Sequence, residues 1–214
     1  MDDTPKVTTQ PRPPELKLTF AELEALLATE PNWPAVRHAM GTRPPADDQV
    51  AAAGWATLLV RNLARQTSDG GAQVANQVAQ MARRVGRASV VIGVVQTRTD
   101  TTVLPMLLCT AGQTGDRALV RVAGPGVVAV TALPHELTVP DHMAVLVDAA
   151  FTSEDGTIVV QPPKAPGIKV RKTGDQWAVA DSSGQFHEAT RDQALGAVRS
   201  CAVNAIEAQP RRAV

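Results

Sequence analysis

The sequence predicts an α+β fold, in which antiparallel meander sheets are flanked by helices. Three observations predict it. Helical spacing of apolar residues dominates the first part of the chain, up to about Arg84. Runs of β-branched residues with short links follow, and short links favour antiparallel neighbours because parallel neighbours need long crossovers. Each of two strand groups ends in a helical segment, which hints at two pseudo-repeated halves.

The predicted organisation is one domain between two terminal segments. Residues 1–15 are polar and proline-rich, and we expect them to be disordered. We expect a single α+β domain over residues 16–208, with an N-terminal half at about 16–150 and a C-terminal half at about 151–208. Residues 209–214 form a tail.

The first helix has the clearest boundaries. Thr19 is a good N-cap, and Glu22 three residues later completes a capping box. Leu18 and Leu23 stand at the positions of a hydrophobic staple. Pro31 ends the helix, because the residue before a proline disfavours helical geometry.

Two further helices are predicted before the strands begin. The second runs from about Asp48 to Gln66, with Trp55 and Leu58 on its apolar face. The Ser-Asp-Gly-Gly sequence at 68–71 breaks it. The third helix runs from about Ala72 to Arg84 and has an opposite face of glutamines.

The strands are predicted in two groups of about four. The strands of the first group are Ala88–Thr97, Val103–Thr110, Arg117–Ala123 and Val127–Leu133. Those of the second group are Gly156–Gln161, Ile168–Lys172, Trp177–Ala180 and Gln185–Glu188. A helix at about Asp141–Ala150 separates the groups. The last helix begins at Thr190, where Gln193 completes a second capping box, and runs to about Ala208.

The composition disfavours several classes of function. Basic and acidic residues number 21 each, so the net charge gives no general attraction to nucleic acid. Aromatic residues make up 3% of the chain, too few for a base-stacking platform. Apolar runs such as Val90–Val95 and Leu104–Cys109 are far shorter than the roughly 20 residues of a membrane span. The N-terminus lacks a secretory pattern, so we expect a cytoplasmic protein that contacts neither membrane nor nucleic acid.

Charge is distributed unevenly along the chain. Between residues 61 and 87 there is one acid, Asp69, and a group of five arginines: Arg61, Arg65, Arg83, Arg84 and Arg87. This pattern is typical of solvated helix faces, and a partner-facing patch is the alternative.

The sequence predicts no catalytic, metal or cofactor site. The four histidines lack ligand spacing, and the glycines between 112 and 116 mark a turn because no Gly-Lys-Ser/Thr motif follows them. Cys109 and Cys201 lie in apolar patterns, as small core residues of a reducing compartment do. We therefore expect a protein that is not an enzyme and needs no cofactor.

The passage from the third helix into the first strand group resembles a known family. The segments that carry the resemblance are Ala75–Met81, Val85–Val95, Leu107–Gly112, Gly115–Val122 and Gly126–Leu133. Near the C-terminus, Gly174-Asp175-Gln176-Trp177 is similar to a Gly-Asp-Gly-Trp pattern in that family's late strand. The family is EspG, the cytosolic chaperones of mycobacterial-type ESX (type VII) secretion systems. The chain resembles a shortened member, because Phe151–Pro166 takes the place of a helical part of the family.

The resemblance implies a non-catalytic actinobacterial chaperone that binds a PE/PPE-like helical heterodimer. In the family the client is held by a loop between the first two meander strands, which maps here to Arg98, Thr99, Asp100 and Thr101. The C-terminal helix is a second expected contact region. Two alternatives stay open: an adaptor or regulatory relative that has lost client binding, and a small-molecule-binding α+β domain. The sequence does not give the oligomeric state.

Overall fold

The computed structural model of the chain describes residues 15–40, 48–98, 101–102, 106–111, 115–152, 155–162 and 164–208. The helices are α1 Phe20–Leu27, α2 Trp33–Ala39, α3 Gln49–Val60, α4 Asn76–Gly86, α5 Val139–Ala150 and α6 Arg191–Glu207. The first strands are β1 Glu15–Thr19, β2 Ala64–Gln66, β3 Ala72–Val74, β4 Val90–Arg98, β5 Thr101–Thr102 and β6 Met106–Thr110. The remaining strands are β7 Arg117–Gly124, β8 Val127–Ala132, β9 Gly156–Gln161, β10 Ile168–Thr173, β11 Gln176–Ala180 and β12 Phe186–Ala189.

One large antiparallel sheet organises the described residues. Its strand order is β1-β8-β7-β6-β4-β9-β10-β11-β12, with the two-residue β5 paired to the end of β4. The two strand groups of the sequence are therefore joined in a single sheet, through the pairing of β4 with β9. Strands β2 and β3 form a separate small hairpin. The α+β class predicted from the sequence is confirmed.

Helices cover the two faces of the sheet unequally. The face that carries Val91 packs against α1–α4, in a core to which Leu18, Leu58, Met81 and Val120 also belong. The opposite face packs against α5 and α6, in a core that includes Ile92, Met143, Ile158, Val170 and Val198. Among the described residues, the first core contains no side chain from β9–β12, whereas the second core includes residues from three of these four strands.

Caps and ion pairs fix the helices in place. Both predicted capping boxes are present, at Thr19–Glu22 for α1 and at Thr190–Gln193 for α6. Helices α5 and α6 pack closely and are also joined by ion pairs near both ends of α5. These pairs join Asp141 to Arg199 at 3.0 Å and Asp148 to Arg191 at 2.5 Å. The side-chain hydrogen bonds from Arg191 lower the pKa of Asp148.

Close backbone contact joins α1 to α3. A Cβ atom placed on Gly54 would lie 1.9 Å from the carbonyl oxygen of Ala21, so the two helices can approach this closely only with glycine at that position. Arg61 follows α3 and forms an ion pair of 2.6 Å with the carboxylate of Glu22, which is 0% exposed. The same arginine donates a hydrogen bond of 2.9 Å to the carbonyl oxygen of Lys17 in β1.

Three parts of the predicted element map are wrong. Residues 15–19 form β1, which pairs with β8, so Glu15 is not part of a disordered segment; the rest of that predicted segment, residues 1–14, lies outside the described residues. Helix α2 lies just after Pro31, in a stretch where the sequence predicted no helix or strand. The second helix ends at Val60 and the third begins at Asn76, because β2 and β3 form a hairpin between them.

Candidate functional site

The predicted partner-binding loop lies only partly within the described residues. The backbones of Arg98 and Thr101 face each other as the last pair of the β4–β5 ladder. Thr99 and Asp100 lie outside the described residues. The structure therefore places the ends of the predicted loop at the tip of a hairpin that extends β4.

A groove lies beside β4, between α2 and the sheet. Its volume is about 560 Å³. The groove is lined by Asn32, Ala35, His38, Ala39, Ala88, Ser89, Val91, Gly93, Val95, Gln161, Pro162 and Lys164. Residues at alternate positions of a strand point to the same face, so Val91, Gly93 and Val95 form one floor beneath α2. Gly93 deepens this floor because it has no side chain.

The groove combines an apolar floor with a polar rim. Val95 and Gly93 are half-buried, while Ala35 and His38 of α2 are exposed. Lys164, on the connection after β9, is exposed at the opposite side of the groove. An apolar floor with a few polar groups is typical of surfaces that bind another molecule.

The groove opens onto the face of β9–β12 that no described helix covers, because the core on that side of the sheet contains no described side chain from these strands. The pairing register aligns Val95 of β4 with Val159 of β9, and Val159 with Lys169 of β10. Side chains paired in this way lie on the same face, so this face continues outward from the groove floor. Val159 is half-buried, whereas Lys169 and Arg171 are exposed. The guanidinium of Arg171 lies 4.3 Å from the ring centre of Phe186 on the same face.

The histidines are distributed over separate environments. His142 is buried, and its Nε2 atom lies 3.0 Å from the carbonyl oxygen of Pro134. His187 lies 2.7 Å from the carboxylate of Asp181, and hydrogen bonds from Ser183 and then from His187 lower the pKa of Asp181. Among the residues that the structure describes, no group of three or more His, Cys, Asp or Glu side chains is placed to hold a metal ion.

Both cysteines are core residues, as the sequence predicted. Cys109 is fully buried in β6, and desolvation raises the pKa of its thiol to about 12. Burial also raises the pKa of Cys201, whose sulfur lies 3.6 Å from the carbonyl oxygen of Pro166. A thiol that stays protonated is a poor nucleophile, so neither cysteine is suited to covalent catalysis.

Sequence reasoning did not identify α2 or the groove beside it. One local signal was present: Pro34 stands in the first turn of α2. A proline is compatible with a helix there, because the backbone N–H groups of the first turn have no partner within the helix and the loss of one costs no hydrogen bond. No local signal indicates which strand this helix packs against.

In comparisons with known proteins, no family model matches the chain and no curated protein matches it significantly. Within the described part of the chain, no helix is both long enough and apolar enough to cross a membrane.

Proposed function

We propose that this protein is a cytoplasmic, non-catalytic chaperone that binds PE/PPE-like substrates of an ESX type VII secretion system, as the resemblance to EspG proteins implies. Chaperoning here means covering an exposed apolar tip of the client until it is delivered, without covalent chemistry or a cofactor. The observation that carries the proposal is the groove beside α2 and the uncovered sheet face next to it.

The position of this surface next to α2 suits a helix of a partner protein. An α-helix with its side chains is about 10–12 Å across. Helix α2 lies on the sheet at the edge of the helical layer, so a partner helix laid next to it would occupy the next position in that layer. An amphipathic helix in a groove presents apolar anchors about one turn apart, and Val95 and Val159 provide apolar floor for them.

The charges along this surface favour a client helix with an acidic side. Lys164, Lys169 and Arg171 are exposed along the groove and the open face, and Glu188, aligned with Ala178, is an acid on that face. Opposite charges across an interface increase the association rate and fix the orientation of the partner.

The direct test is co-expression with candidate PE/PPE pairs, followed by capture through this chain and size-exclusion chromatography. A stoichiometric complex that keeps the pair soluble supports the proposal. Ala35→Arg places a large charged side chain in the groove without altering a buried residue, so we expect it to abolish capture. Ala56→Arg is the matched control on the exposed side of α3 and should leave capture unchanged. Equal capture by both variants would refute the groove as the client site.

The predicted loop is tested separately. Replacing Arg98 and Asp100 by alanine should reduce client solubility if the loop holds the client. Unchanged client solubility in this variant would refute the loop assignment while leaving the groove assignment open to the Ala35→Arg test. Capture of the secretion ATPase without any PE/PPE pair would instead favour the adaptor alternative.

A small-molecule-binding domain is the second candidate function, and one observation favours it. The groove volume of about 560 Å³ lies within the range of ligand pockets, and His38 at its rim offers a polar imidazole. The test is a thermal-shift screen of small carboxylic acids and amines against the wild type and Ala35→Arg. A ligand that stabilises the wild type and not the variant would support this function, because only binding to the folded groove raises the melting temperature.

A further inference from the structure

A second depression lies at the C-terminal end of α4, next to the connection between β6 and β7. Its volume is about 550 Å³. The residues that line it are Gln80, Arg83, Arg84, Arg87, Ala111 and Asp116. Its base is held by a hydrogen bond of 3.1 Å from the Ala111 amide to the carbonyl oxygen of Asp116. We call it the arginine cleft.

The arginine cleft has a net positive charge. Arg84 forms an ion pair with Asp116 at 3.6 Å, which leaves Arg83 and Arg87. Both are exposed, and their spacing of four residues places them on the same side of the helix end. Arg83 donates its Nε proton to the carbonyl oxygen of Ala79. Within the described part of the chain, no acid lies at ion-pair distance from either arginine.

The other arginines of the basic stretch have partners elsewhere in the fold. Arg61 is paired with Glu22, and Arg65 donates two hydrogen bonds to the side chain of Gln73. The basic excess between residues 61 and 87 is therefore concentrated in the cleft. The helix dipole favours cations at this end of α4, but it does not require an open cleft between them and the sheet.

We propose that the arginine cleft binds an acidic segment of a partner protein. A guanidinium presents two parallel N–H donors that match the two oxygens of a carboxylate, so Arg83 and Arg87 could each hold one glutamate or aspartate of the segment. The amide of Gln80, exposed in the same cleft, can donate a further hydrogen bond. The inference goes beyond the proposed chaperone function, because it concerns a different surface and does not depend on a PE/PPE client.

The test is fluorescence polarisation with the full chain and a fluorescein-labelled peptide of ten glutamates. We expect saturable binding that weakens as salt is added, because exposed charges are screened. Arg83→Gln/Arg87→Gln should bind at least about tenfold more weakly, since two charge-assisted contacts are lost. Lys17→Gln/Arg65→Gln removes the same charge at exposed positions outside both surfaces and should bind as the wild type does. Arg83→Lys/Arg87→Lys keeps the charge but loses the paired donors, so its affinity for the peptide should lie between those of the wild type and Arg83→Gln/Arg87→Gln.

Several results would overturn the proposal. Binding by Arg83→Gln/Arg87→Gln equal to the wild type would exclude the cleft, and equal losses in both double variants would show a nonspecific charge effect. Displacement of the labelled peptide by single-stranded RNA at a far lower concentration than by unlabelled glutamate peptide would assign the cleft to nucleic acid instead. Both substituted arginines are exposed, so all variants should keep the wild-type melting temperature, which is measured first.

Discussion

Replacing Arg61 by alanine tests whether the Glu22 carboxylate is held in the core by its ion pair. One oxygen of Glu22 accepts a backbone hydrogen bond of 2.7 Å from Thr19 and the 2.6 Å ion pair from Arg61. Among the described residues, the other oxygen is buried without a hydrogen-bond partner. The Arg61→Ala variant would leave a carboxylate that is 0% exposed with one backbone donor and no counter-charge.

The expected loss follows from the burial of the two partners. Removing one partner of a fully buried ion pair costs about 3–5 kcal/mol, because the remaining charge is uncompensated. The Arg61 side chain is 39% exposed, so water screens this pair and the cost falls below that range, to about 2 kcal/mol. The lost hydrogen bond to Lys17 adds about 1 kcal/mol. We expect a total loss of about 3 kcal/mol in the free energy of unfolding, or about 6–12 °C in melting temperature for a chain of this size.

The assay is urea-induced unfolding followed by tryptophan fluorescence, for four proteins. These are the wild type, Arg61→Ala, Glu22→Gln/Arg61→Ala, and the control Arg65→Ala. Glutamine at position 22 keeps the capping box without the charge, so the double variant should be more stable than Arg61→Ala. Arg65 is exposed and bonds only to the side chain of Gln73 among the described residues, so its removal should change the stability by less than about 0.5 kcal/mol. The reasoning is wrong if Arg61→Ala loses less than about 1 kcal/mol, or if Glu22→Gln fails to restore stability in its background.

Three further predictions concern helix packing, pH and thiol reactivity. Gly54→Ala should destabilise the protein by about 2 kcal/mol, because the new Cβ would meet the backbone of Ala21. The control is Gly196→Ala in α6, whose Cβ meets no atom within 4 Å, and it should stabilise the protein by about 0.5–1 kcal/mol. Urea unfolding measures both changes. Arg191 lowers the pKa of Asp148 below 3.8, so this pair contributes stability above that pH and loses it as the pH falls through the folded-state pKa. Arg191→Ala should therefore reduce the stability difference between neutral and acidic solution, and an unchanged difference in urea titrations would contradict this. Both buried thiols should react with a thiol reagent only after denaturant is added, and prompt labelling of the native protein would contradict their burial.

The elements that the sequence predicted well are those whose signals are local. The capping boxes at Thr19 and Thr190 mark the starts of α1 and α6, because the paired side chains lie three residues apart in the sequence. The β-branched runs and turn residues likewise locate the two meanders. Strand β1 was missed because its partner, β8, lies more than a hundred residues away and nothing near Leu16 distinguishes a strand from a helix start.

The candidate site was less predictable because it depends on packing between distant elements. The groove exists because α2 lies over β4 at the point where the helical layer ends, and neither segment indicates this by itself. The basic stretch that includes Arg83 and Arg87 was visible in the sequence. The sequence did not show which of these arginines form ion pairs and which line a cleft, because the partners Glu22 and Asp116 lie far from the basic stretch along the chain.

The junction between the two strand groups has a consequence for how the chain folds. Within each meander, every pairing joins strands that are close in sequence, such as β7 with β8 or β10 with β11. The β4–β9 ladder instead joins residues 93–97 to residues 157–161, which are 60–68 positions away. The entropy lost in closing that loop is not recovered until the ladder itself forms, so local hairpins should precede it in time. Substitutions confined to this ladder should then act mainly on the unfolding rate, while substitutions inside one meander alter the rate of folding.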